Sequence, residues 1–118
     1  MYKTLPAIVV LALSGQAEAQ YSGAELQRDI LSAKREQQIA ALYYVGGVID
    51  QTAMTYNYLK LTSAQVDRTA FFCLPPTAKL GDVFAVVKRR MESPELKLSE
   101  PAVTHVVQAA RAIWPCPG

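Results

Sequence analysis

Apolar residues recur along most of this chain at spacings of three and four, the period of a helix and not of a strand. Ser22 and Glu25 form an S-x-x-E capping box, after which Leu26, Ile30 and Ala33 share one face up to the charged stretch Lys34-Arg35-Glu36. From Gln37 to about Leu59, Ile39, Leu42, Tyr43, Gly46, Ile49, Ala53 and Tyr56 keep the same period and predict a long central helix. The pattern fits one bent helix or two joined near residues 34–37, and we favour two. Thr77 is placed to cap a third helix with the face Leu80, Val83, Phe84, Val87 and Met91, which leaves Asp82, Lys88, Arg89 and Glu92 toward water. Ser93-Pro94 ends it, because proline cannot continue a helix. Ser99 and Pro101 then open a fourth, whose buried stripe is predicted as Val103, Val106, Val107, Ala110, Ile113 and Trp114, with His105 on the solvated side. The expected fold is therefore all-α, a small bundle of four to five helices.

Two segments fall outside this period. Thr62 to Pro76 carries turn formers, with a short helical turn expected at Thr62 or Ser63, and ends in Phe71-Phe72-Cys73-Leu74-Pro75-Pro76, where the two phenylalanines read as a core plug. At the start, Lys3, the apolar run Leu5–Leu13 and the small-x-small pattern Ala17-Glu18-Ala19 read as a signal peptide over residues 1–19, cleaved after Ala19 to leave a domain of residues 20–118. No run approaches the roughly 20 apolar residues of a membrane-spanning helix, so the product is expected to be soluble outside the cytoplasm.

Export changes the reading of the cysteines. Cys73 and Cys116 are the only two, and an even count in a small exported domain predicts a bridge rather than a metal or redox site. Closing a loop of about 44 residues stabilises by roughly 4 kcal/mol in the chain-entropy picture.

Gly46 and Gly47 inside the long helix cost about 1 kcal/mol each relative to alanine, which predicts that a neighbouring helix passes close to them. Asp50, one turn further on, is expected to be partly buried in a structural role, with Trp114 packing at the end of the last helix. The net charge of +2 is too small for a nucleic-acid footprint. One histidine and two bridged cysteines do not make a usual zinc set, and no G-x-S-x-G, S-x-x-K or phosphate-binding glycine loop occurs. Neither a catalytic constellation nor a cofactor is predicted, and what remains is recognition of a partner or buttressing of a larger assembly.

Phe72-Cys73-Leu74-Pro75, the Val86-Val87 pair, Ser93-Pro94-Glu95, Pro101-Ala102 and Trp114-Pro115-Cys116-Pro117, together with Tyr44-Val45-Gly46-Gly47-Val48-Ile49-Asp50 upstream, resemble the Rap/Tai immunity family over roughly Ala24 to Pro117. Tyr43 stands where glycine is common there, and Ala33 and Leu42 where many relatives carry a second cysteine pair. The resemblance implies a periplasmic helical protein that sterically blocks a peptidoglycan amidase effector of type VI secretion, often as a homodimer and without catalytic residues of its own. By position, Glu92 to Glu100 is the segment expected to enter the partner's cleft, with Glu95, Leu96, Lys97 and Leu98 as candidate contacts and the two leucines as anchors. The second reading is a periplasmic accessory or chaperone-like helical protein with no toxin partner.

Overall fold

The computed structural model describes residues 20–62 and 67–117. The predicted leader, residues 1–19, and the turn expected at Ser63 lie outside the described residues. Among the described residues four α-helices follow one another: α1 (Gly23–Ile30), α2 (Arg35–Thr62), α3 (Leu80–Met91) and α4 (Ala102–Ile113), with a 3₁₀ turn at Arg68–Ala70 before α3. No strand occurs among the described residues, only isolated bridges at Ser22–Pro101 and Phe72–Pro115. The fold is a small all-α bundle.

The predicted capping box forms. Ser22 Oγ accepts from Glu25 N at 3.1 Å while Glu25 Oε1 accepts from Ser22 N at 3.2 Å. Helix α1 nevertheless stops at Ile30, short of Ala33, and residues 31–34 separate it from α2. The two helices favoured from the sequence form, and not one bent helix, because Ser32 turns the chain: its hydroxyl accepts from Lys34 N at 3.0 Å, a local bond that competes with helix continuation. Helix α3 begins at Leu80 and not at Thr77, after a turn at Pro76-Thr77, and Asp82 rather than Thr77 serves its start by accepting from Lys79 N at 2.8 Å.

Every helix touches every other. The core takes Leu26 and Ile30 from α1, Ala41, Val45 and Val48 from α2, Val83, Val87 and Met91 from α3, and Ala102, Val106, Ala109 and Ala110 from α4, closed by Phe72. The face predicted for α3 is the face it buries, apart from Leu80, which is 38% exposed. In α2 and α4 the buried stripe keeps the predicted Tyr56, Val106 and Ala110 but is otherwise shifted from the predicted one. Ile39 and Tyr43 of α2 stand in solvent while Ala41 and Val45 are buried, and Val103 and Ile113 of α4 are exposed while Ala102, His105 and Ala109 are buried. Both helices carry apolar residues on more than one side, and close packing draws in the face with the smaller side chains, which lets the helix axes approach.

Cys73 and Cys116 form the predicted disulfide, 43 residues apart in sequence. Backbone pairing reinforces it: Cys73 N donates to Trp114 O at 2.8 Å, beside the Phe72–Pro115 bridge. Phe72 is buried and Phe71 is half-buried, with its ring 5.2 Å from that of Tyr56 near the end of α2. The bridge thus ties the segment entering α3 to the segment leaving α4. Cys73→Ser, Cys116→Ser and the double variant are each expected to lower stability by about 2–4 kcal/mol to a common level. Thermal melts of the wild type with and without strong reductant check this, since the reduced wild type should melt with the variants.

Candidate functional site

The first turn of any α-helix has backbone N–H groups with no acceptor within the helix. In α1 each one is accounted for. Glu25 N is taken by Ser22 Oγ at 3.1 Å, Gly23 N donates to Glu100 O at 2.7 Å, and Ala24 N donates to Leu98 O at 3.0 Å. Two of these acceptors lie in the segment singled out from the sequence, Glu92 to Glu100, which runs from the end of α3 to the start of α4. Ala102 N donates to Tyr21 O at 3.0 Å, so the two segments are stitched in both directions. At the other end Gln27 Nε2 donates to Met91 O at 2.9 Å.

His105 completes the anchoring. It is buried on α4, 1% exposed, and Nε2 lies 3.0 Å from Lys97 O. A carbonyl can only accept, so Nε2 is the donor here, while Nδ1 is buried with no hydrogen-bond partner among the described residues. The ring lies against the start of α1. A Cβ added to Gly23 would meet His105 Cδ2 and Nε2 at 2.7 Å and Glu100 O at 3.0 Å, so only glycine fits there. The expected surface histidine is thus an interior one. Its place on the stripe of Ala102, Val106, Ala109 and Ala110 was readable from the i, i+3, i+4 spacing, but its partner Lys97 O was not.

With its backbone held this way, the loop turns Leu96 and Leu98 partly inward. Both are half-buried, and Leu96 packs against the core beside Val86 and Ala109. Pro94, Glu95, Lys97 and Ser99 face solvent. The loop therefore presents a polar, charged edge, with its leucines serving as its seat.

A second anchor was missed altogether. Asp29 is buried on α1, 6% exposed, and accepts from the Tyr21 hydroxyl and, at 3.0 Å, from Arg28 Nε. Burial alone would raise its carboxyl, yet the hydrogen bonds from Arg28 and Tyr21 outweigh burial and hold it below the usual carboxylate range. The Tyr21 phenol is raised well above its ordinary value, first by burial and then by its bond to Asp29. Its ring also packs 4.7 Å from that of Tyr44 on α2, so Tyr21 joins the loop region to two helices.

The other predicted residues are scattered. Gly46 meets Leu80: an added Cβ would lie 3.5 Å from Leu80 Cδ2, ordinary contact, so α3 does pass nearby. Gly47 faces open space with nothing within 4 Å, which removes the close-approach explanation for it. Asp50 is exposed rather than partly buried, because α2 turns that side outward. Trp114 is half-buried beside the disulfide and uses its carbonyl to hold Cys73 N. A cleft of about 240 Å³ beside Phe72 and Cys73 is lined by Ile49, Ala53, Tyr56, Asn57 and Leu74, with no acid–base pair in it. No cluster of three or more potential metal ligands occurs among the described residues.

Gly23→Ala is expected to destabilise the domain by about 1–3 kcal/mol through overpacking on His105, measured by urea unfolding. Asp29 sets a pH dependence. Its native carboxyl binds protons more weakly than the unfolded one, so its contribution is fully present above the unfolded value of about 3.9 and is lost as pH falls through the lower native value. Melts between pH 7 and pH 2 should show this acid-side loss shrinking in Asp29→Asn, a variant already weaker at neutral pH by about 1–3 kcal/mol.

A family profile described as Rap1a immunity proteins matches residues 22–116, the span from the capping serine to the second cysteine. No curated protein matches the chain.

Proposed function

The chain belongs to the Rap1a immunity protein family, and from that membership we propose that it is a periplasmic immunity protein, exported by a leader cleaved after Ala19, that binds and sterically blocks a peptidoglycan amidase effector of type VI secretion. In this reading the protein is not an enzyme. It contributes shape and charge, and the partner supplies the chemistry that is to be stopped.

The observation that carries the reading is the anchoring of the Glu92–Glu100 loop. A segment that enters another protein's cleft loses affinity if it must first be ordered, at about 0.5–1.5 kcal/mol for each side chain immobilised. Here the backbone is already held by Gly23 N, Ala24 N and the His105 ring, while Glu95 and Lys97 remain free on the outer edge. Pro94 stiffens the entry to the loop by fixing its own φ. An oxidised disulfide suits an exported protein, since such bridges persist outside the reducing cytosol.

The test is co-purification and inhibition with the peptidoglycan amidase encoded beside this chain. Binding below micromolar Kd and loss of hydrolysis at equimolar protein are expected. Reversing both loop charges, Glu95→Lys with Lys97→Glu, should weaken binding at least about tenfold, worth about 1.4 kcal/mol, with an unchanged melting temperature because both side chains are exposed. An amidase that is neither bound nor slowed refutes the proposal and leaves the accessory reading in its place.

A further inference from the structure

Helices α3 and α4 leave a groove between them on the surface. Its apolar lining is Val86 of α3, Leu96 of the following loop and Ala109, Ala112 and Ile113 of α4, around a volume of about 340 Å³. Ile113 is 53% exposed and Ala112 also stands open to water, so this lining is reachable from outside. Arg89, Arg90 and Ser93 complete the wall.

The charge on that wall has no counterpart. Arg90 reaches across to α4, where Nη2 donates to Gln108 Oε1, and its Nε is buried with no acceptor among the described residues. Gln108 is neutral, and among the described residues Arg28 with Asp29 is the one ion pair. Glu92 and Glu95, the nearest acids in sequence, face solvent and pair with neither arginine. A half-buried cation has lost part of its hydration, so an anion that reaches it beside an apolar wall is attracted more strongly than in open water. Ser93 Oγ accepts from Glu95 N at 3.4 Å, which leaves its own hydrogen free to donate. The end of α3 itself repels an anion, because the helix dipole is negative there. Arg89 and Arg90 must therefore supply the attraction through their side chains.

Size and shape narrow the ligand. Small-molecule sites run from about 300 to about 1,000 Å³, so this groove has room for one short chain and not for a two-chain lipid. A carboxylate matches the planar fork of a guanidinium. The groove lies on the inner side of the loop, where Leu96 packs, whereas Glu95 and Lys97 face outward. A protein engaged by that charged edge leaves the groove open.

We propose that the groove between α3 and α4, walled by Val86, Leu96 and Ile113 and edged by Arg89 and Arg90, binds a free single-chain carboxylate, an aliphatic acid of about six to ten carbons. The chain lies on the apolar wall and the head group meets the arginines and the Ser93 hydroxyl. This site is independent of the effector reading.

The experiment is titration of octanoate into the full chain, produced with its leader and purified with the disulfide intact, followed by amide NMR. A Kd of about 0.1–1 mM is expected, with shifts centred on the end of α3, the loop and α4. Octanol keeps the chain without the charge, and acetate keeps the charge without the chain; each should bind at least about tenfold more weakly. Arg90→Gln, and Ala112→Leu, which fills the open side of the groove, should each weaken octanoate by about tenfold, and Arg89→Gln by about threefold. Arg89 and Ala112 are exposed, so those two variants should keep the wild-type melting temperature and decide the matter even where Arg90→Gln does not fold. Absence of shifts up to about 10 mM octanoate overturns the proposal. So does octanol binding as tightly as octanoate, shifts centred on the cleft beside Phe72, or indifference to both Ala112→Leu and Arg89→Gln. A groove that ignores octanoate while Ala112→Leu weakens binding of an amidase belongs to the protein partner, which overturns the ligand and sustains the immunity role.

Discussion

The start of α1 is the constraint on which this molecule depends. A helix of eight residues leaves a large share of its backbone N–H groups without internal acceptors, and a short helix is marginal without tertiary support. Here Ser22 takes one donor and the carbonyls of Leu98 and Glu100 take two more. The same bonds that complete α1 hold the loop between α3 and α4, and they require Gly23 to be bare because the His105 ring lies directly against it. Helix end, loop and buried imidazole are one unit. A change in any of them acts on the others, and so on the edge where Glu95 and Lys97 face solvent.

The disulfide serves the opposite end of the bundle. It does not touch the loop; it joins the approach to α3 to the exit from α4, so both termini of the α3–α4 pair are tied, at one end by covalent linkage and at the other by hydrogen bonds and His105. For a domain of this size the apolar core alone leaves little margin, and a cross-link lowers the entropy of the unfolded chain. The loop is thereby carried on two helices whose separation is fixed at both ends.

Sequence alone determined the features that rest on local chemistry. The capping box, the break at Ser93-Pro94, the buried face of α3, the Cys73–Cys116 pair and the all-α class depend on residues near one another in the chain, or on a pairing with only one solution. Family membership was legible for the same reason, in the Cys-Pro and Ser-Pro elements and their spacing.

What tertiary structure decided was which of several apolar faces goes inside and which distant groups meet. Leu42, Ile49, Tyr43 and Ala41 are all apolar neighbours on α2, and periodicity cannot choose between Tyr43 and Ala41; the close approach of α1 and α3 selects the smaller residue and leaves the tyrosine in water. Asp29 and His105 sit at stripe positions that polarity argues against, and their burial rests on partners outside those stripes, Tyr21 and Arg28 for Asp29 and the carbonyl of Lys97 for His105. The empty space over Gly47 and the exposure of Asp50 follow from that same choice of face. Hydrophobic pattern sets how much surface must be buried, whereas direction and partnership are properties of the assembled bundle.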